Sequence, residues 1–248
     1  MLYQGKADGN HAQDDKFKAL ENYCVENTTR QPKEFKDIYE KTFETVHGAQ
    51  MMISPSQGQF LSMLTSMRRP KVVLELGCFV GYSALWFAHG LDFFSSDEPR
   101  GHLFTIEKNE KMAKLAQKNI SSTKYGKYIS VINEPAANVL EKWDPNNKID
   151  IVFIDADKAG YISYYNTIIE KNLLSKDGII IVDNTTFRGE VLDHSSLSRS
   201  SNIEDSTKKP KLTTSEHIFN FNKHVNEDPR TDNLLLPIFD GFSMIRQV

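Results

Sequence analysis

Cysteine is scarce in this chain: Cys24 and Cys78 are the only two among 248 residues. They lie far apart, so no disulfide framework is encoded and a reducing compartment is expected. No stretch approaches the ~20 apolar residues a membrane-spanning helix needs. The start, Met1 to Asp15, is polar and lacks the apolar core of a secretory leader. Positive charge is not in excess either. The formal net charge is -3, which leaves no global basic field for nucleic acid. There is no internal repeat and no G-x-G-x-x-G fingerprint of dinucleotide enzymes, and no Tyr-x-x-x-Lys pair falls in a suitable helix. The last two absences weigh against a nicotinamide-dependent oxidoreductase. A soluble cytoplasmic protein with neither membrane nor nucleic-acid partner is expected.

What is present is regular alternation. Apolar runs predict strands near 71–76, 102–107, 128–132, 149–155 and 178–183, with helices at 82–90, 109–120, 136–142 and 159–171 between them. Upstream, Phe17 to Asn27, Glu34 to His47 and Gln57 to Met67 carry helical spacing, as does Thr214 to Asn226 downstream. Strand–helix alternation at this pitch argues for a Rossmann-like doubly wound parallel sheet with helices on both faces. Ile149 to Ile154 and Ile179 to Val182 are almost continuously apolar, as central strands buried on both sides should be. Phe239-Asp240-Gly241, flanked by Leu234–Ile238 and Phe242–Ile245, signals an antiparallel hairpin with Asp-Gly in its turn. A single domain over 1–248 is expected, with a helical or partly disordered extension at 1–33. Gly189 to Thr213 is serine-rich and aperiodic, and reads as a long flexible loop.

The most informative stretch runs from Val72 to Ser83. A β-branched strand ends in Glu75, and a loop with Gly77 and Gly81 leads into a helix. The spacing is G-x-x-x-G, with an acid two residues before the first glycine. Such a loop suits a cationic, adenosine-bearing ligand better than a pyrophosphate, and S-adenosylmethionine is that ligand. In open parallel sheets, ligands bind beyond the carboxyl ends of the strands. Glu107 closes the second strand, where one carboxylate can accept from both hydroxyls of a ribose.

Asp155, Asp183 and Asn184 follow the fourth and fifth strands. Neighbouring strands lie only ~4.8 Å apart, so these residues can share one ion. All three offer oxygen, which selects a hard cation, Mg²⁺ before Mn²⁺ or Ca²⁺, over zinc. The local alternative is an Asx-type turn at Asp183-Asn184, with Asp155 as a helix cap. Lys158, one helical turn beyond Asp155, is a candidate proton acceptor or an electrostatic partner for a developing phenolate.

These residues resemble a known family. Met51 through Leu61, the Glu75–Ser83 loop, Asp155-Ala156-Asp157-Lys158 with Tyr161, and Asp183-Asn184-Thr185 with Gly189 are similar to the cation-dependent class I O-methyltransferases. The caffeoyl-coenzyme A type is the nearest branch and catechol O-methyltransferase a more distant one. Asp228-Pro229-Arg230 and Leu236-Pro237 with Asp240-Gly241 also fit. The resemblance implies a seven-stranded sheet with an antiparallel last strand, and a homodimer. It implies that Met51, Glu75, Gly77, Cys78, Tyr82, Ser83, Glu107, Ala136, Asp155 and Asp157 contact S-adenosylmethionine. Asp155, Asp183 and Asn184 would be the metal ligands, and Lys158 and Asp155 the catalytic pair. The activity implied is methylation of one hydroxyl of a vicinal diphenol, a small phenolic acceptor. A non-catalytic cofactor-binding module on the same fold is the alternative. Three features depart from the plant branch: Glu107 in place of an aspartate, Arg188 in place of an asparagine, and a longer 189–213 loop.

Overall fold

The central strands form where β-branched apolar residues cluster, and helices where apolar residues recur every three or four positions. The computed structural model describes residues 11–93, 101–195 and 212–248. The strands are β1 Val72–Leu76, β2 His102–Ile106, β3 Ile129–Ile132, β4 Ile149–Ile154, β5 Leu174–Asp183, β6 Thr231–Leu236 and β7 Phe242–Gln247. They form one sheet in the order β3-β2-β1-β4-β5-β7-β6. Around it are α1 His11–Glu26, α2 Lys33–Thr45, α3 Pro55–Arg68, α4 Tyr82–Asp92, α5 Glu110–Ser121, α6 Ala136–Lys142, α7 Tyr161–Glu170 and α8 Thr214–Glu227. The mostly parallel seven-stranded sheet is therefore the one expected. Among the described residues no helix is long and apolar enough to cross a membrane.

By internal packing the chain divides into two compact units. One takes the chain up to Lys71 together with Cys78–Asn133; the other takes Val72–Gly77 together with Glu134–Val248. In the first, β2 and β3 pair in parallel from Leu103↔Ile129 to Ile106↔Ile132. Helix α2 buries Phe35, Ile38, Tyr39 and Thr42, an i, i+3, i+4, i+7 stripe. Phe35 meets Trp86 edge-on at 5.2 Å, and Tyr39 lies 5.0 Å from Tyr82. Such aromatic pairs add about 0.5–1.5 kcal/mol each beyond their buried area.

In the second unit, β4 pairs in parallel with β1 and with β5, while β7 runs antiparallel between β5 and β6. Ile151 to Ile154 and Ile180 to Val182 are wholly buried, which explains their lack of polar alternation. The last β4–β5 pair is Ile154↔Val182, and Asp183 then closes β5 through its pair with Phe242 of β7. Asp155 directly follows β4, level with Asp183.

The structure adds detail to the sequence expectation at three places. Strand β5 begins at Leu174, where Ser175-Lys176-Asp177-Gly178 has the composition of a turn, and the pairing shifts register between Ile149 and Ile151. The expected antiparallel hairpin forms with Asp240-Gly241 in its connection: the last pair is Leu236↔Phe242, and Phe239 and Gly241 take φ of 56° and 84°. Phe187–His194 is 3-10 helical, with Arg188 and Gly189 at φ 55° and 81°. The first residues of the expected loop, Gly189 to His194, thus fall in a 3-10 segment too short to leave a periodic signal. Residues 196–211 of that loop, including Lys208, Lys209 and Lys211, lie outside the described residues, as do residues 1–10 of the N-terminal extension.

Helix α8 starts with a capping box. Glu216 N–H donates to Thr213 Oγ1 at 3.2 Å, and the Glu216 carboxylate accepts from Thr213 N–H. Thr213→Ala is expected to lower unfolding stability by about 1 kcal/mol in a urea melt, since the helix end loses the hydroxyl that receives the Glu216 N–H. A midpoint unchanged by the substitution would show the cap is dispensable.

Candidate active site

The second unit brings Asp155, Lys158, Tyr161, Asp183, Asn184 and Asp240 into one hydrogen-bonded array. Asp155 follows β4, its N–H held by Leu76 O at 2.9 Å. A short 3-10 turn, Lys158–Gly160, then leads into α7. That turn swings Lys158 Nζ back to Asp155 Oδ1 at 2.9 Å and to the Tyr161 hydroxyl at 2.6 Å. Tyr161, wholly buried, donates its own proton to the backbone carbonyl of Asp183 at 3.1 Å. Burial opposes the Lys158 charge, yet the Asp155 carboxylate and Tyr161 together hold the ammonium above the ordinary lysine range. Burial likewise raises the Tyr161 phenol. A mostly buried ion pair of this kind recovers little net stability after desolvation. Its consequence is a positive charge fixed at one place.

Asp183, 3% exposed, accepts the N–H of Asn184 on Oδ1 at 2.9 Å. This bond reaches only the next residue, whereas an Asx-type turn would take the N–H two residues on. Asn184 takes φ of 60°, a left-handed conformation that asparagine tolerates better than most residues. Its Nδ2 donates to Asp240 Oδ2 at 3.2 Å, so its Oδ1 faces away from Asp240. The other Asp240 oxygen accepts the Arg188 N–H. Burial raises the Asp240 carboxyl, and those two donors together with the Arg188 and Lys158 charges work against the rise.

Asp155, Asp183 and Asn184 fit a hard divalent cation by donor chemistry: two carboxylates and one amide oxygen, carried at and just beyond the carboxyl ends of adjacent strands. Among the described residues no group of three or more His, Cys, Asp or Glu gathers as a metal cluster. Here the third donor is an amide, and that amide is turned oxygen-outward from Asp240.

The remaining predicted contacts divide between the units. In the second, Glu75 is wholly buried at the end of β1, Gly77 follows with φ 102°, and Ala136 opens α6. Asp157 is exposed and its Oδ1 accepts from the Tyr164 hydroxyl at 3.0 Å. In the first, Glu107 anchors the chain around itself: Oε2 accepts Phe79 N–H at 2.9 Å and Oε1 accepts Asn109 N–H at 2.8 Å. Each carboxylate oxygen has a second lone pair, so a diol can still be received. Cys78 is buried and Ser83 nearly so. Tyr82 belongs to the aromatic cluster, its hydroxyl donating to Gln31 at 2.8 Å. Met51 is 55% exposed in a 3-10 turn before α3.

Sequence reasoning missed Tyr164 and Asp240 as site residues and gave Tyr161 only as a motif mark. Tyr161 was accessible from its spacing, one helical turn past Lys158. Asp240 was taken for turn chemistry, and nothing local separates the two roles.

The sheet thus has the order β3-β2-β1-β4-β5-β7-β6 with β7 antiparallel, and acids at its carboxyl ends. Comparison with known proteins identifies the family. A family model described as O-methyltransferase matches residues 25–248. O-methyltransferase ankF of Aspergillus thermomutatus is 32% identical over 233 residues, covering 94% of this chain and 94% of that protein. Caffeoyl-CoA O-methyltransferase of Eucalyptus gunnii is 28% identical over 235 residues, 93% of this chain and 88% of its own. Among solved structures, the SAH-bound methyltransferase PaMTH1 of Podospora anserina aligns with a TM-score of 0.79 and 29% identity, over 99% of this chain and 100% of that one. The chain belongs to the O-methyltransferase family.

Proposed function

We propose that this enzyme moves the methyl group of S-adenosylmethionine to one oxygen of a vicinal diphenol, with Asp155, Asp183 and Asn184 holding a divalent cation, Mg²⁺ by preference. The observation that carries the reading is the oxygen-only set at the carboxyl ends of β4 and β5, with the Lys158 ammonium 2.9 Å from Asp155. Similarity to a protein named for a caffeoyl ester, itself a vicinal diphenol, supports the acceptor class. A divalent cation bound there would lower the pKa of a coordinated phenol.

The chain's own residues supply the rest. Lys158 places positive charge where a phenolate develops, and Tyr161 keeps that ammonium from swinging away. Glu107 offers a preorganised carboxylate to a ribose diol, since two backbone N–H groups already fix its orientation. Holding two reactants in register can lower the barrier by up to ~7–11 kcal/mol, so little covalent help is needed.

The test is a methyl-transfer assay on catechol and caffeoyl-type diphenols beside matched monophenols, each with Mg²⁺ and with excess chelator. Methylated diphenol is expected only with the cation. Full turnover in chelator, or equal rates on monophenols, would refute the reading.

A further inference from the structure

Asp240 sits in the connection between β6 and β7, 56 positions from Asn184 in sequence, yet its carboxylate takes the Asn184 amide on one oxygen. The other oxygen takes the Arg188 N–H, and the Asp240 carbonyl takes the Thr186 N–H at 3.1 Å. Thr185 N–H donates to Gly241 O at 3.0 Å beside them. The connection is thus fastened to the segment after β5 by main-chain bonds that do not need the Asp240 side chain. The side chain adds the Arg188 N–H contact on one oxygen and turns the other to the Asn184 amide. An ionised carboxylate offers acceptors only, so it can receive just the NH₂ end of an asparagine. We propose that Asp240 is a positioning residue that sets the direction of the Asn184 carboxamide and so presents Oδ1, rather than Nδ2, to a divalent cation. The inference rests on the cation site proposed above and adds a residue to its control.

The direction matters because an amide NH₂ carries positive partial charge and cannot ligate a cation. Partners that orient a ligand from behind typically govern metal affinity by about 10–100-fold. Asp240→Asn tests this without changing shape. The introduced carboxamide would give its oxygen to the Arg188 N–H and turn its NH₂ toward Asn184. The Asn184 oxygen would then rotate inward to accept, leaving Nδ2 outward. Asn184→Asp on the Asp240→Asn background restores the pair in reverse. The carboxylate at position 184 then accepts from the amide at position 240 with one oxygen and offers the other outward.

The experiment is direct Mn²⁺ binding to the full chain, by calorimetry and by the paramagnetic resonance of free Mn²⁺, with S-adenosylmethionine affinity and thermal unfolding measured in parallel. Asp240→Asn should weaken Mn²⁺ about tenfold or more. The double variant should return to within about threefold of the unaltered enzyme, with S-adenosylmethionine affinity constant throughout. A purely structural Asp240 predicts a lowered melting temperature and no rescue by the swap; that result overturns the proposal. So does an unchanged Mn²⁺ affinity in Asp240→Asn. If the unaltered enzyme binds no Mn²⁺, the cation site itself fails and this inference with it. Binding that is intact but indifferent to the swap removes this inference alone.

Discussion

Asp183→Ala is expected to reduce methyl transfer by at least about 10²–10³-fold while S-adenosylmethionine still binds, because the loss falls on charge stabilisation at the acceptor. Asp183 is 3% exposed and ends β5, where Phe242 of β7 pairs with it. Its backbone carbonyl, which receives the Tyr161 hydroxyl, survives the substitution. The strand pairing survives as well, since alanine is tolerated there sterically. What goes is one carboxylate of the two in the proposed cation set, together with the acceptor for the Asn184 N–H. Asp155→Ala should behave alike and additionally release Lys158, whose ammonium loses its 2.9 Å partner. Initial rates at saturating S-adenosylmethionine and diphenol, cofactor titration by calorimetry and a far-ultraviolet dichroism spectrum separate the outcomes. A variant that retains activity within about threefold, a barrier change under about 1 kcal/mol, would dismiss these residues from the chemistry.

Asp155 and Asp183 were readable from sequence because each terminates a continuous β-branched run, and burial on both faces dictates such runs. Glu107 was readable from its place just after β2, a short strand of mixed, alternately buried residues. What those runs could not convey is which long-range partner a polar side chain selects. Tyr161 reaches the Asp183 carbonyl and Asp240 reaches the Asn184 amide only after the sheet has assembled, and neither bond leaves a periodic trace. The left-handed stretch at Phe187, Arg188 and Gly189 was hidden differently. Two of those three residues carry side chains that normally avoid positive φ, so composition argued against the conformation adopted. The start of β5 was masked by Ser-Lys-Asp-Gly, whose turn-like composition falls in the irregularity between the Ile149↔Leu174 and Ile151↔Ile179 pairs.

Gly77→Ala should cost about 2–4 kcal/mol of stability and depress turnover with it. Gly77 follows β1 with φ 102°, and a Cβ there would lie 2.2 Å from the backbone oxygen of Asp155 and 2.7 Å from its carbonyl carbon. No rotamer change relieves a clash with backbone. The chain after β4 must move instead, although Asp155 N–H is held to Leu76 O one residue away. The displacement therefore falls on Asp155, a member of the proposed cation set and the partner of Lys158. Gly189→Ala is the matched control for stability. Its φ of 81° is also left-handed, but a Cβ there meets nothing within 4 Å, leaving only dihedral strain of about 1–2 kcal/mol. Urea melts of both variants, with methyl-transfer rates for Gly77→Ala, decide the matter. If the two glycines cost the same, strain alone explains them, and contact between the Gly77 backbone and Asp155 sets nothing. If Gly77→Ala is clearly the costlier and Mn²⁺ affinity falls in step, the glycine is there to let β1 approach the residue that carries the charge.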